Sequence, residues 1–359
     1  MFKFFKVLLN IFITNIILFY NKFLLKKKTI VFYHENYNLL RIHSYYIENL
    51  LNLKKSNYFI IYFHSNINLT MKNYFFIINY FCEYIYSADI FISNNVCDFF
   101  TKNSKKIYMH HDIMDTPLVS SNEEKNLKLR LDKYDLICTS SKKSSKIFSK
   151  LLKKNIKNRI VPIGYHKLDY LLSKNFKKKV ENKIIIAPTN FHSFKNFSLT
   201  KDLCYLIDFF LKKTSYTVIY RPHPSNIKEK LVKKLVNKYK KNKRFRIDQS
   251  SNYHKVYMST KFMITDLSGT AYTYAFLTKN PVVFYCSYKK SIELKYSNLL
   301  YFKKRVQIGI IIRGRRNLKK IQKLKENNAN YKNGIKKLLD ENFTIGETKK
   351  NFIRLIDKL

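Results

Sequence analysis

Residues Phe262–Ala275 read FMITDLSGTAYTYA. A short apolar run stops at an acid, a Ser-Gly-Thr step follows, and small and aromatic residues then continue without a break. The first part is nearly continuous rather than alternating, which is the pattern of a strand buried on both faces of a parallel sheet. The second part reads as a helix entered through a polar turn. Asp266 and Ser268 suit the cap of that helix. The backbone N–H groups of Ser268, Gly269 and Thr270, together with a helix N-terminus, also make a ready anion site. A strand passing through a turn into a helix is the repeating unit of an α/β fold.

The same unit recurs along the chain. Buried-strand runs fall at Thr29–Tyr33, Tyr58–His64, Asp89–Ser93, Lys106–His110, Asp135–Thr139 and Arg159–Ile163 in the first half. Those in the second half are Lys183–Ala187, Thr217–Tyr220, Phe245–Ile247, Phe262–Thr265 and Pro281–Tyr285. Helical patterns lie between them at Arg41–Leu53, Ser141–Lys153, Thr200–Lys212 and Asn226–Lys241, and the chain closes with others at Leu318–Asn328, Gly334–Glu341 and Glu347–Leu359. The alternation pauses at Lys167–Asn182, KLDYLLSKNFKKKVEN. The expected organisation is an amino-terminal helix over 1–28, an α/β domain over 29–166, a linker over 167–182, a second α/β domain over 183–340 and a terminal helix over 341–359. Two doubly wound domains facing each other make a cleft at the carboxyl ends of their strands, where ligands bind.

Composition narrows the function classes. Of 359 residues 46% are hydrophobic, with 28 Tyr and 29 Phe, so the chain can build real cores. There are 69 Lys and Arg against 24 Asp and Glu, a formal charge of +45. Joint over-use of Lys, Asn, Ile, Phe and Tyr follows A/T-rich codons and accounts for part of this excess. The remainder suits an anionic partner: a phosphate-rich substrate, a lipid surface or nucleic acid. The odd set Cys82, Cys97, Cys138, Cys204 and Cys286, with no CxxC, argues against a disulfide framework or zinc site and for a reducing compartment.

The amino terminus reads MFKFFKVLLNIFITNIILFYNKFLLKKK over 1–28. Lys3, Lys6, Asn10 and Thr14 share one helical face, and Phe, Leu and Ile occupy the rest. An amphipathic helix lying in a membrane interface, closed by Lys26–Lys28, fits this better than a spanning helix or a packed first helix.

Two further strand ends carry chemistry. Val218–Pro224, VIYRPHP, presents Arg221 and His223 between prolines that hold the chain extended. Arg221 can grip a phosphate with two parallel hydrogen bonds. Lys106–Leu118, KIYMHHDIMDTPL, ends a strand in His110 and His111, followed by Asp112 and Asp115. Either histidine is a candidate general base, and an acid nearby could orient it. Adjacent side chains on an extended chain point opposite ways, which disfavours a metal site here. No GxGxxG or Walker A loop is present.

In order and spacing these features resemble the CDP-glycerol glycerophosphotransferase family of teichoic acid and capsule polymer synthesis. MHHDIMDTPL is similar to that family's His-containing motif leading into Thr-Pro. Gly164–Leu171 is similar to its Gly-x-x-x-x-Asp-x-Leu turn, and Arg221-Pro222-His223-Pro224 to its Arg-x-His-Pro motif. Ile264-Thr265-Asp266-Leu267-Ser268 is similar to its Ile-Thr-Asp-x-Ser-Ser motif, with Gly269 in place of the second Ser. Ile308-Gly309-Ile310-Ile311 resembles its Ile-Gly-x-Ile tail. The family often has His-Gly in the first motif where this chain has His110-His111-Asp112, so that Asp112 stands for the Gly, and Thr273 stands where an acid is common.

The resemblance implies a GT-B fold with two facing Rossmann-like domains. It implies transfer of glycerol phosphate, or a similar polyol phosphate, from a CDP-linked donor to a hydroxyl of a cell-surface polymer or lipid-linked acceptor, with release of CMP. His111 or His110 would act as base, and His223 would assist the leaving phosphate. Arg221, Asp266, Ser268, Gly269 and Thr270 would hold the donor. No metal or cofactor is called for, and the expected place is the cytoplasmic face of the membrane. A GT-B glycosyltransferase using a nucleotide sugar stays open as an alternative. So does a non-enzymatic basic protein binding membrane or nucleic acid, although the Arg-x-His-Pro and Asp-x-Ser turns have no use there.

Overall fold

A computed structural model describes the chain except residues 1, 35–39, 41–42, 44–46, 50, 52–56, 65–73, 78, 116–123, 153–158, 175, 178, 251–252 and 327. The helical pattern over Arg41–Leu53 and the Thr-Pro step at 116–117 fall largely or wholly outside the described residues. The chain divides into two compact units. Unit 1 comprises Met1–His111, Glu123–Tyr170 and Thr344–Leu359; unit 2 comprises Asp112–Asn122 and Leu171–Phe343.

Unit 1 is built on a seven-stranded sheet of order β3-β2-β1-β4-β5-β6-β7. Its strands are β1 (Lys28–Tyr33), β2 (Tyr58–His64), β3 (Tyr74–Phe76), β4 (Ile90–Ser93), β5 (Lys105–Met109), β6 (Leu136–Thr139) and β7 (Ile160–Pro162). Every pairing is parallel. Strands covered on both faces need apolar side chains at successive positions, and Ile30, Val31 and Phe32 are all buried, as are Ile90, Phe91 and Ile92.

The carboxy-terminal helix Thr348–Asp357 belongs to this unit, and its Phe352 and Ile356 sit in the core with Ile30, Ile90 and Ile163. Lys28 Nζ donates to the Ile356 carbonyl at 2.8 Å, and Thr348 N–H donates to Asp169 at 3.1 Å. Gly164 holds a φ of +106°, and a Cβ there would lie 2.2 Å from Thr348 Oγ1, so only glycine admits this helix so close. The start of the segment expected as a linker is also structured. His166–Ser173 is a helix because Leu168 and Leu171, three apart, bury one stripe.

The amino-terminal helix runs over Phe2–Phe19 and widens into a π turn at Tyr20–Leu24. Of its polar residues Lys3 is exposed, Lys6, Asn10 and Asn15 are half-buried and Thr14 is buried. Thr14 is buried beside Val7 and Leu18, and Asn15 donates to the Tyr84 carbonyl at 2.8 Å while accepting from Tyr86 N–H at 3.0 Å. The outward row is Phe4, Phe5, Leu8, Phe12, Ile16 and Phe19, about half or more of each exposed. Lys3–Leu24 is long and apolar enough to cross a membrane.

Unit 2 carries a six-stranded parallel sheet of order β10-β9-β8-β11-β12-β13. The strands are β8 (Lys183–Ile186), β9 (Thr217–Tyr220), β10 (Phe245–Ile247), β11 (Met263–Thr265), β12 (Val282–Cys286) and β13 (Gly309–Arg313). Helices Leu203–Lys213 and Lys230–Tyr239 lay Leu206, Ile207, Phe210, Val232 and Leu235 onto Ile184, Val218 and Ile264. At the sheet edge β13 comes so close that a Cβ on Gly309 would sit 1.8 Å from the Val282 carbonyl oxygen.

Candidate active site

Each sheet reverses its strand order once, between β1 and β4 in unit 1 and between β8 and β11 in unit 2. Such a reversal opens a crevice at the carboxyl ends of the flanking strands, because the two connections leave in opposite directions. Of the residues singled out in the sequence, Asp266 and the Ser268–Thr270 turn follow a flanking strand, β11, while His110 and His111 follow β5 and Arg221 and His223 follow β9, each one strand farther out.

In unit 2, Asp266 follows β11 directly. Its Oδ1 accepts from Thr189 N–H at 2.8 Å and Leu267 N–H at 2.7 Å, and its Oδ2 from Leu199 N–H at 2.8 Å. Thr189 lies just beyond β8, so one carboxylate ties together the two loops that flank the reversal. Burial pushes its pKa up to about 6, although three N–H groups favour the charged form. The side chain has no exposed surface, so its part in a site is to hold the loops in place.

Ser268, Gly269 and Thr270 follow, partly exposed, at the start of the helix Thr270–Thr278. Thr270 Oγ1 pairs with Tyr257 Oη at 2.6 Å. A Cβ on Gly269 would lie 2.0 Å from both carboxylate oxygens of Asp112. The helix start therefore already has an internal carboxylate lying against it, at the end that favours negative charge. Asp115 does the same for the helix Leu300–Ile308. Its Oδ2 accepts from Leu300 N–H at 2.8 Å and its Oδ1 from Tyr301 N–H at 3.0 Å. Burial, with the Asp112 charge adding to it, raises the Asp115 pKa to about 6.

Arg221 and His223 follow β9, two strands from β11 in the sheet and hence roughly 10 Å away at the usual strand spacing. Arg221 Nη1 donates to Asp248 at 2.5 Å and to the Ser250 carbonyl at 3.0 Å, and the guanidinium lies 5.1 Å over the Tyr253 ring. One nitrogen thus anchors the plane, and Nε and Nη2 form the other edge of the fork. His223 Nδ1 accepts from Ser225 N–H at 3.2 Å, capping the short turn Pro224–Asn226. In the neutral ring the proton is consequently on Nε2, which makes that atom a donor.

In unit 1, His110 and His111 follow β5. His110 is buried, with its ring edge-on to Phe148 at 5.0 Å and its Nδ1 3.3 Å from Tyr108 Oη. His111 is partly exposed, and its Nδ1 lies 2.8 Å from the Asn94 carbonyl oxygen. A carbonyl only accepts, so Nδ1 carries the proton and Nε2 holds the lone pair of a base. Burial lowers the His111 pKa, so the ring is neutral near pH 7. The acids expected to orient this base are replaced in that role by the Asn94 carbonyl, since both oxygens of Asp115 are committed to helix N–H groups.

Sequence reading missed Asn94, Asp248 and Tyr253, which fix His111 and Arg221. Asn94 and Asp248 each come immediately after a strand, and that position was the available signal. It also missed a group of buried histidines. His34 follows β1, His64 ends β2, and His166 opens a helix after β7.

A family model described as CDP-Glycerol:Poly(glycerophosphate) glycerophosphotransferase matches residues 15–355. The minor teichoic acid biosynthesis protein GgaB of Bacillus subtilis is 29% identical over 135 residues, which is 37% of this chain and 14% of that relative. Among solved structures, the wall teichoic acid polymerase TagF superposes with a TM-score of 0.64 at 19% identity, covering 92% of this chain and 89% of that one. MnaA of S. aureus with UDP superposes with a TM-score of 0.63 at 12% identity, covering 92% and 96%. At these identities the structural likeness shows the fold, which is of GT-B type with one Rossmann-like sheet in each unit.

Proposed function

The chain belongs to the CDP-glycerol:poly(glycerophosphate) glycerophosphotransferase family, and from that premise we propose that it moves glycerol phosphate, or a similar polyol phosphate, from a CDP-linked donor to a hydroxyl of a cell-surface polymer or lipid-linked acceptor. The family match over nearly the whole chain carries this reading. A TagF variant soaked with CDPG, which superposes on this chain with a TM-score of 0.58, supports the choice of donor.

In the reaction, the acceptor oxygen attacks the phosphorus that bears the polyol, and the bond from that phosphorus to the CMP oxygen breaks. The acceptor proton passes to His111 Nε2, whose lone pair is fixed there by the Asn94 carbonyl. His223 Nε2–H donates to the departing CMP phosphate, and the Nε/Nη2 edge of Arg221 stabilises its growing charge. The turn Ser268–Thr270 borders the donor, and Asp266 holds the adjoining loops of Thr189 and Leu199 in place. No cofactor enters.

A donor screen tests this. CDP-glycerol or CDP-ribitol should raise the melting temperature, and CMP should appear only when acceptor is present. Protection by UDP- or CMP-sugars in place of CDP-polyols would replace this reading with that of a glycosyltransferase.

The protein's proposed place is the cytoplasmic face of the membrane. The outward apolar row of Phe5, Phe12 and Ile16, on a helix pinned to its unit by Asn15, supports this. Phe12→Glu with Ile16→Glu should release the protein from anionic vesicles without lowering its melting temperature. Unchanged vesicle binding would overturn the assignment.

A further inference from the structure

The buried histidines of unit 1 gather at its strand-order reversal. His43 lies with its ring stacked 5.8 Å from His34, which follows β1, and edge-on at 6.0 Å to His111, which follows β5. Among the described residues, the groups that act on it electrostatically are His34, His111, His166 and Lys167, with no carboxylate among them. His43 is 5% exposed, and its buried Nδ1 has no hydrogen-bond partner among the described residues.

A buried polar atom without a partner is costly, and native structures retain few of them unless something else satisfies the atom. The surroundings restrict what that can be. A cation would be repelled by Lys167, and among the described residues no group of three His, Cys, Asp or Glu side chains is arranged to hold a metal ion. Burial also lowers the pKa values of His43, His111 and His166, favouring their neutral forms. A neutral imidazole offers one donor and one acceptor, as a hydroxyl does. Several such rings beside one ammonium suit a ligand with several hydroxyls and a phosphate.

We propose that His43 binds the acceptor, its Nδ1 bonding a hydroxyl of the polyol phosphate end other than the one His111 deprotonates. This rests on the transferase reading above. His43 then sets the acceptor's position before His111, and the strand-order reversal of unit 1 is the acceptor site.

The two amide side chains separate this role from a merely structural one. Asparagine places a polar atom near the position of Nδ1, and glutamine places one near Nε2. With CDP-glycerol as donor and a lipid carrying one glycerol phosphate as acceptor, His43→Gln should raise the acceptor KM about tenfold, leaving the donor KM unchanged. His43→Asn should keep the acceptor KM within about threefold of wild type. If both variants keep the wild-type acceptor KM, or if both raise donor and acceptor KM together, the proposal is wrong while the transferase reading stands. If wild type releases no CMP from CDP-glycerol, the transferase reading fails and takes the proposal with it.

Discussion

The two units share a doubly wound parallel design and place their polar residues at the same topological point, yet they fill it with opposite chemistry. At the reversal in unit 1 stand buried imidazoles, and at that in unit 2 stands the buried carboxylate Asp266, with Asp112 and Asp115 set against helix starts nearby. Burial acts on both groups by the same rule, disfavouring charge, but the consequences run in opposite directions. A buried histidine becomes a poorer base and stays neutral. A buried carboxylate becomes a weaker acid and is ionised only at the cost of desolvation. One topology thus supports a neutral hydrogen-bonding surface in one unit and a set of loops held by acids in the other.

The largest expected effect breaks the comparison at its functional end. If unit 1 supplies the base, His111→Gln should lower kcat by about 10²–10⁴-fold with little change in donor affinity. His110→Gln, at a ring packed on Phe148 and bonded to Tyr108, should lower the melting temperature more than kcat. Near-normal kcat in both variants would remove the base from this unit altogether.

Acidification sharpens the contrast. His166 has its pKa pushed down to about 3, and those of His43 and His111 are lowered too. The folded unit therefore binds these protons less readily than the unfolded chain. Its stability is full above about pH 6.5 and is lost as pH falls, by up to about 1.4 kcal/mol per pH unit for each such ring. Asp115 and Asp266 are shifted up to about 6, so their contribution is greatest below about pH 4 and is lost as pH rises through 6, by at most about 3 kcal/mol each. Hydrogen exchange between pH 7 and pH 5 should show unit 1 peptides losing protection while those around Thr189, Leu199 and Leu300 gain it. Parallel changes in both units would refute the contrast.

The smallest effect concerns Gly269. A side chain there meets the Asp112 carboxylate, so Gly269→Ser should cost about 1–3 kcal/mol of stability. Adding Asp112→Gly should recover at least half of it. The double variant restores the Gly and Ser of the family pattern, and additive losses would show that the two departures are unrelated.

Much of this was legible in the residues. The eleven apolar runs all became strands, because strands covered on both faces must be apolar throughout and such runs are conspicuous. β3 escaped notice because Tyr74–Phe76 is only three residues long. β13 was hidden because its Gly309 looks like a turn, whereas the glycine is there for its close approach to Val282. At the site, residue types at strand ends pointed to His111, Arg221 and His223. What they bond was not readable, since Asn94, Asp248 and Ser225 are brought to them by backbone geometry rather than by spacing. His43 left no signal, being remote from any strand end and paired with His34 and His111 only in space.

The carboxy-terminal helix of unit 1 has a consequence for how the molecule is made. Phe352 and Ile356 fill a core whose strands lie between Lys28 and Pro162, so synthesis passes through all of unit 2 before that core can close. On the ribosome the later sheet has its strands complete while Ile30, Ile90 and Ile163 still lack their cover. A nascent chain that stalls before Thr348 would carry one finished unit and one open apolar face, and chaperone demand should therefore track the first-made half of the polypeptide rather than the last.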